Sequence, residues 1–68
     1  MIDETTTPEE AIRIALQREK AAYEFYTKAM KIAKYPGTRE MFESLAKEEL
    51  RHARLLEEEL NKDYFKEM

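Results

Sequence analysis

The sequence predicts an all-α fold, a single antiparallel hairpin of two long helices. Its 68 residues include one Gly and two Pro, and both Pro lie where a helix is expected to begin. Charged residues make up 40% and hydrophobic residues 43%, a balance typical of amphipathic helices. Because this length is about half that of a common domain, we expect one domain over residues 1–68 that needs a partner to complete its core.

The first helix is predicted over about residues 8–34. Thr7 can cap its start, and Pro8 suits the first helical position because its fixed φ is already helical. Glu10 lies three residues after Thr7, the spacing of a capping box in which each residue binds the backbone N–H of the other. No Gly or Pro interrupts the segment before Pro36, so one continuous helix is expected.

The turn is predicted at about residues 35–37 and the second helix at about 37–66. Pro36 disfavours helical backbone at Tyr35 and lacks an N–H donor, and Gly37 follows it directly. No further Gly or Pro occurs before the end of the sequence. Two helices of about 27 and about 30 residues joined by so short a link are expected to pack antiparallel.

Apolar side chains recur at alternating spacings of four and three residues on both helices, which defines one inward seam on each. Three positions of these seams hold polar residues instead, namely Glu19, Glu49 and His52. The outward positions are predicted to form a solvated face of Lys, Arg, Glu and Gln. The apolar seam residues are Ile12, Leu16, Tyr23, Tyr26, Met30 and Ala33 on the first helix and Phe42, Leu45 and Leu56 on the second.

The three polar seam residues are expected to lie close together. Glu19 is 16 residues before Tyr35 and Glu49 is 14 residues after it, so they lie about 24 and about 21 Å from the turn. Glu49 and His52 are one helical turn apart on the same face. An ionised carboxylate in an apolar interior costs several kcal/mol unless it is paired or bound to a metal. A bound cation is therefore predicted, although a polar layer that fixes helix register is an alternative.

A homodimer is predicted because two helices alone bury only a narrow strip of a wide apolar face. A two-fold axis would bring Glu19, Glu49 and His52 of both chains into one cluster of four carboxylates and two imidazoles. A Glu from each of two helices and Glu-x-x-His from each of the other two is the ligand set of di-iron and di-manganese carboxylate bundles. We therefore predict two Fe ions per dimer, with Mn or Zn as alternatives.

Two segments of the sequence resemble the rubrerythrin family. Glu-Lys-Ala-Ala-Tyr-Glu-Phe-Tyr at residues 19–26 is similar to the first ligand helix of that family. Phe-Glu-Ser-Leu-Ala-Lys-Glu-Glu-Leu-Arg-His at residues 42–52 is similar to the second. The likeness extends over roughly residues 9–60, which is nearly the whole sequence.

The resemblance implies a ferritin-like half-domain that dimerises into a four-helix bundle. It implies that Glu19, Glu49 and His52 are the iron ligands and the catalytic residues. It also implies that Tyr26 belongs to the cofactor site, because it matches a tyrosine that hydrogen-bonds a ligand carboxylate. The expected activity is that of an oxidoreductase, either oxidation of ferrous iron or reduction of O₂ or peroxide.

The sequence departs from the family pattern at several points. It carries one helix pair where a full rubrerythrin has two, and Ala22 stands where the second half of rubrerythrins has an extra carboxylate ligand. Rubrerythrins also carry a four-Cys rubredoxin site, and this sequence contains no Cys. A peroxidase reaction would thus need an external electron donor, which favours oxidation of ferrous iron.

Charge and hydropathy limit the expected partners. A net charge of −3 leaves no basic patch for nucleic acid or an anionic membrane. No apolar run approaches the roughly 20 residues of a membrane span, and no secretory signal is evident, so we expect a cytoplasmic protein. Assembly beyond a dimer and a longer parent protein both stay open. The alternative function is a non-enzymatic helical dimerisation module or a structural metal-binding bundle.

Overall fold

The computed structural model describes residues 2–62, which form an antiparallel hairpin of two α-helices. Helix α1 spans Pro8–Ile32 and helix α2 spans Pro36–Leu60. No strand occurs among the described residues, so the predicted all-helical hairpin is confirmed. The principal extents are 48 × 23 × 12 Å, so the hairpin is a layer one helix thick.

A capping box begins α1. The Glu10 backbone N–H donates to Thr7 Oγ1 at 3.1 Å, and the Thr7 N–H donates to Glu10 Oε1 at 2.8 Å. The bond from the Thr7 backbone, followed by that from its side chain, holds the pKa of Glu10 below its usual value. Helix α1 ends at Ile32, two residues before the predicted end, because Ala33 adopts extended backbone with ψ 128°.

The connection between the helices lies earlier than the predicted turn at 35–37. Tyr35 is extended at ψ 137°, as expected before a proline, and Pro36 is the first residue of α2. Pro36 occupies a helical position because its fixed φ suits the first turn, where its missing N–H costs nothing. The Arg39 guanidinium donates to the Ala33 carbonyl at 3.3 Å and so satisfies a carbonyl at the end of α1.

Helix α2 ends earlier than the predicted end near residue 66. The Asn61 N–H donates to the carbonyls of Glu57 and Glu58 at 3.1 and 3.2 Å, which closes the last turn after Leu60. Residues 63–66 of that prediction lie outside the described residues.

Only two of the described residues are buried, Ala46 and Ala53 at 6% and 5% exposure. Their small side chains let α1 lie close against α2. The solvent-exposed surface extends beyond the predicted Lys, Arg, Glu and Gln, since Phe25 and Ile32 on α1 are 65% and 81% exposed. The apolar arc of α1 is wider than the seam that α2 covers, so one hairpin leaves much of it in water.

The described helices contain no stretch that is both long and apolar enough to cross a bilayer.

Candidate metal centre

Three residues meet between the helices, Glu19 from α1 and Glu49 and His52 from α2. One ligand atom from each lies within 4.8 Å of the other two. His52 Nδ1 lies 3.1 Å from Glu19 Oε2, a hydrogen-bonding distance across the hairpin. All three side chains are half-buried. Their two carboxylates and one imidazole offer the oxygen and nitrogen ligands that iron, manganese or zinc accept.

The local sequence explains why these side chains converge. Glu49 and His52 are three residues apart in a continuous helix, so both project from the same face of α2. Ala53 is buried directly after His52, which brings α1 close at this level. Glu19 lies in the middle of α1, far from either frayed end, so its position along the hairpin is determined by helix geometry.

The Glu19 carboxyl group disfavours the charged form of Glu49. The pKa of Glu49 lies above its ordinary value, first because its carboxyl group shares a hydrogen bond with Glu19. Partial desolvation and the negative charge of Glu19 raise it further, while His52 acts in the opposite direction. Ionising Glu49 is therefore less favourable beside Glu19 than in water. A bound cation would neutralise both carboxylates, so the residues present fit a metal ion.

Two residues of α2 lie outside this ligand set and contact His52. Arg51 Nη2 lies 2.9 Å from Glu48 Oε2 and 3.4 Å from His52 Nε2. Glu48 Oε2 lies 3.8 Å from the same ring nitrogen. The hydrogen bond and charge of Arg51 hold the pKa of Glu48 below its usual value. Neither Glu48 nor Arg51 was predicted as a site residue. Glu48 lies four residues before His52, a spacing at which side chains on one helix meet, whereas adjacent side chains do not normally face each other, so the contact of Arg51 is visible only in the structure.

Tyr26 lies on the turn side of the three ligands. Its ring stacks against Phe42 with centroids 6.2 Å apart and an interplanar angle of 27°. It also meets Phe25 edge to face at 5.5 Å. These contacts place Tyr26 within an apolar layer, and its hydrogen bond to a ligand carboxylate stays a prediction.

A groove of about 310 Å³ opens from solvent onto the two carboxylates. An ion pair between Lys20 Nζ and Glu57 Oε2, 3.8 Å apart, bridges the helices at its edge. The groove gives small molecules and ions a route to the site from one face of the hairpin. Its lining comprises Glu19, Lys20, Tyr23, Glu24, Glu49, Leu50, Ala53 and Glu57.

The fold and site define a helical hairpin with a carboxylate–histidine cluster whose residue types and spacing fit a metal ion. The family model for rubrerythrin matches residues 1–61, which is most of the chain. The protein therefore belongs to the rubrerythrin family, as the resemblance of its two ligand segments predicted. Neither the curated proteins nor the solved structures yield a match.

Proposed function

We propose that this protein is a di-iron carboxylate oxidoreductase whose metal site is shared between two copies of the chain. The convergence of Glu19, Glu49 and His52 carries the proposal, because two carboxylates and an imidazole within 4.8 Å of one another form a site that a cation can occupy. Carboxylate oxygen and imidazole nitrogen suit iron, with manganese or zinc as alternatives. Membership of the rubrerythrin family supports the choice of iron.

A second copy is needed for both packing and charge. The hairpin is 12 Å thick in its smallest dimension, and large apolar side chains such as Phe25, Met41 and Leu55 are at least half exposed. A second hairpin would cover part of this surface and give a four-helix bundle. The combined site would contain four carboxylates and two imidazoles, which balance the charge of two divalent cations.

The residues of this chain have separate tasks in such a site. Iron, when bound, supplies one-electron redox chemistry toward O₂ or peroxide. Glu19 and Glu49 would hold the cations through their carboxylate oxygens. His52 would contribute Nδ1, the nitrogen that faces Glu19. The groove beside the carboxylates would admit ferrous ions or a small oxidant.

Oxidation of ferrous iron fits this chain better than reduction of peroxide by another donor. In the oxidation of ferrous iron, the ferrous ions are themselves the electron donors, whereas a peroxidase cycle needs an external reductant. The sequence has no Cys to hold a rubredoxin iron site, and Ala22 cannot supply an extra carboxylate ligand.

Anaerobic titration of ferrous iron into the metal-free protein tests the proposal. Native mass spectrometry is expected to find a dimer with two iron ions, and admission of air should oxidise them faster than free ferrous ions. Glu49→Ala and His52→Ala should lose the bound iron, whereas Glu58→Ala, on the exposed face of α2, should retain it. A wild-type protein that stays monomeric or binds no iron would contradict the proposal.

A non-enzymatic dimerisation module is the second candidate. It is favoured by the 3.1 Å contact of His52 with Glu19, which can satisfy both groups without a metal. That function predicts that Glu19→Ala leaves the dimer intact and that added iron does not change its melting temperature. The metal-site function predicts a rise in melting temperature with iron that Glu19→Ala abolishes.

A further inference from the structure

The two ring nitrogens of His52 have different surroundings. Nδ1 faces Glu19 Oε2 at 3.1 Å, inside the cluster of candidate ligands. Nε2 lies beside two other residues of α2, 3.4 Å from Arg51 Nη2 and 3.8 Å from Glu48 Oε2. His52 is the only histidine in the sequence, so its tautomer can be observed without ambiguity.

The tautomer of His52 decides whether Nδ1 can bind a cation. A neutral imidazole carries one hydrogen, and a nitrogen that bears it has no free lone pair for a metal. Binding through Nδ1 therefore requires the hydrogen on Nε2. The guanidinium of Arg51 has no acceptor atom, but the carboxylate of Glu48 can accept this hydrogen.

We propose that Glu48 is a positioning residue that accepts the Nε2 hydrogen of His52 and thereby holds the ring in the tautomer that binds a cation through Nδ1. This inference rests on the proposed metal-binding function. In the observed contacts, Nδ1–H can donate to Glu19 while Arg51 donates to Nε2. When a cation occupies the cluster, the hydrogen moves to Nε2, and Glu48 replaces Arg51 as its partner.

The geometry of α2 means that Glu48 has to move only a short distance to hydrogen-bond Nε2 of His52. Glu48 lies one helical turn before His52, so its carboxylate stays beside the ring whatever α1 does. Its Oε2 must approach Nε2 by less than about 1 Å to reach hydrogen-bonding distance. The 2.9 Å contact with Arg51 keeps Glu48 Oε2 near Nε2, because Arg51 lies beside both atoms. Ligating histidines in proteins generally donate their second N–H to such a group, and its removal weakens metal binding about 10- to 100-fold.

Zinc binding followed by nitrogen NMR of the full-length protein tests the inference. Zn²⁺ is diamagnetic, so ¹⁵N-labelled His52 can be observed in both the metal-free and zinc-loaded protein. Four proteins are compared: wild type, Glu48→Ala, Glu48→Gln and the control Glu58→Ala, which removes a carboxylate from the exposed face of the same helix. Glutamine keeps an acceptor oxygen but carries no charge, so it separates hydrogen bonding from electrostatic attraction.

In zinc-loaded wild type, Nδ1 is expected to be the zinc-bound nitrogen, with a visible hydrogen on Nε2. Glu48→Ala should raise the zinc dissociation constant about tenfold and lose this hydrogen signal to exchange with water. Glu48→Gln should restore the signal and most of the affinity, and Glu58→Ala should match wild type. Zinc bound through Nε2, or an unchanged affinity and signal in Glu48→Ala, would overturn the role of Glu48 alone. A wild-type protein that binds no zinc, iron or manganese would overturn the metal site itself.

Discussion

Two layers of the same hairpin differ in what they contribute. The aromatic layer, Tyr26 and Phe42, lies toward the turn, and the polar layer, Glu19, Glu49 and His52, lies about two helical turns farther away. In the aromatic layer, stacked rings stabilise the hairpin without any other component. In the polar layer, Glu19 raises the pKa of Glu49, so ionising both carboxylates is unfavourable.

Under the proposed function, one part of the seam stabilises the hairpin and another part binds metal. Stacked aromatic rings contribute about 0.5–1.5 kcal/mol beyond the area they bury, whatever ion is present. Under the proposed function, the polar layer makes the metal-free hairpin less stable than an apolar layer would, because Glu19 and Glu49 are kept close together for a cation. Substitutions in the two layers should therefore respond differently to a bound metal, which four substitutions can test.

His52→Ala is expected to give the largest difference between metal-loaded and metal-free protein. Zinc at about 100 times its dissociation constant should stabilise the wild type by about 2.7 kcal/mol, and the variant should lose that gain. Without metal, the variant should unfold within about 1 kcal/mol of wild type because the polar layer contributes little by itself. Urea denaturation with and without zinc measures both values at one protein concentration. An equal loss in both states would contradict the division between the layers.

Phe42→Ala should lower the free energy of unfolding by about 2 kcal/mol, below the full cost of a core truncation because Phe42 is half-buried. The loss should be the same with and without zinc, since the ring contacts Tyr26 rather than a ligand. Tyr35→Ala, at a 73% exposed position, is the control and should cost less. A zinc-dependent loss in Phe42→Ala would show that the aromatic layer supports the metal site as well.

The pH dependence of stability isolates Glu49. The pKa of Glu49 is higher in the folded protein than in the unfolded chain. Its contribution to folding stability is therefore fully present below the unfolded-state pKa and is lost as the pH rises through the folded-state pKa. Metal-free wild type should therefore lose stability relative to Glu49→Gln over that range. Zinc should reverse the trend, because a cation binds the ionised carboxylates and competes with protons. Parallel pH profiles for the two metal-free proteins would contradict the raised pKa.

Gly37→Ala lies outside both layers and should have the smallest effect. Gly37 is in the first turn of α2 with ordinary φ, and an added Cβ would meet nothing within 4 Å. Alanine should therefore stabilise the hairpin by about 0.5 kcal/mol through lower entropy of the unfolded chain. Thermal melts should shift equally with and without zinc. A shift in only one metal state would reveal a coupling between the turn and the polar layer.

Much of this architecture could be predicted because its signals are local. The helix starts are marked by the capping box of Thr7 and Glu10 and by the prolines at the first position of each helix. Both signals act through the backbone of neighbouring residues. Glu19 could be predicted to lie level with Glu49 and His52 because the rise per residue of a helix is constant. Counting residues from the turn therefore gives the distance of each residue along the hairpin. These arguments need no knowledge of side-chain packing.

Other features escaped prediction because they depend on contacts or on competing backbone choices. The turn lies earlier than expected because Ala33 becomes extended, and Arg39 satisfies its carbonyl from the next helix. The exposure of Phe25 and Ile32 follows from how little of α1 a single partner helix can cover. A helical pattern identifies apolar positions, but only the packed hairpin shows which of them remain in water.

The amino-acid sequence alone determined that the chain forms two helices, where they begin, and which three polar residues interrupt their apolar seams. Helical periodicity and capping depend on residues close together in the sequence, so they can be recognised without the structure. The packing of the two helices placed Nδ1 of His52 beside Glu19 and raised the pKa of Glu49 next to Glu19. It also placed Glu48 and Arg51 beside Nε2 of His52. Such relations depend on distances of a few ångströms between side chains, which exist only once the helices have packed.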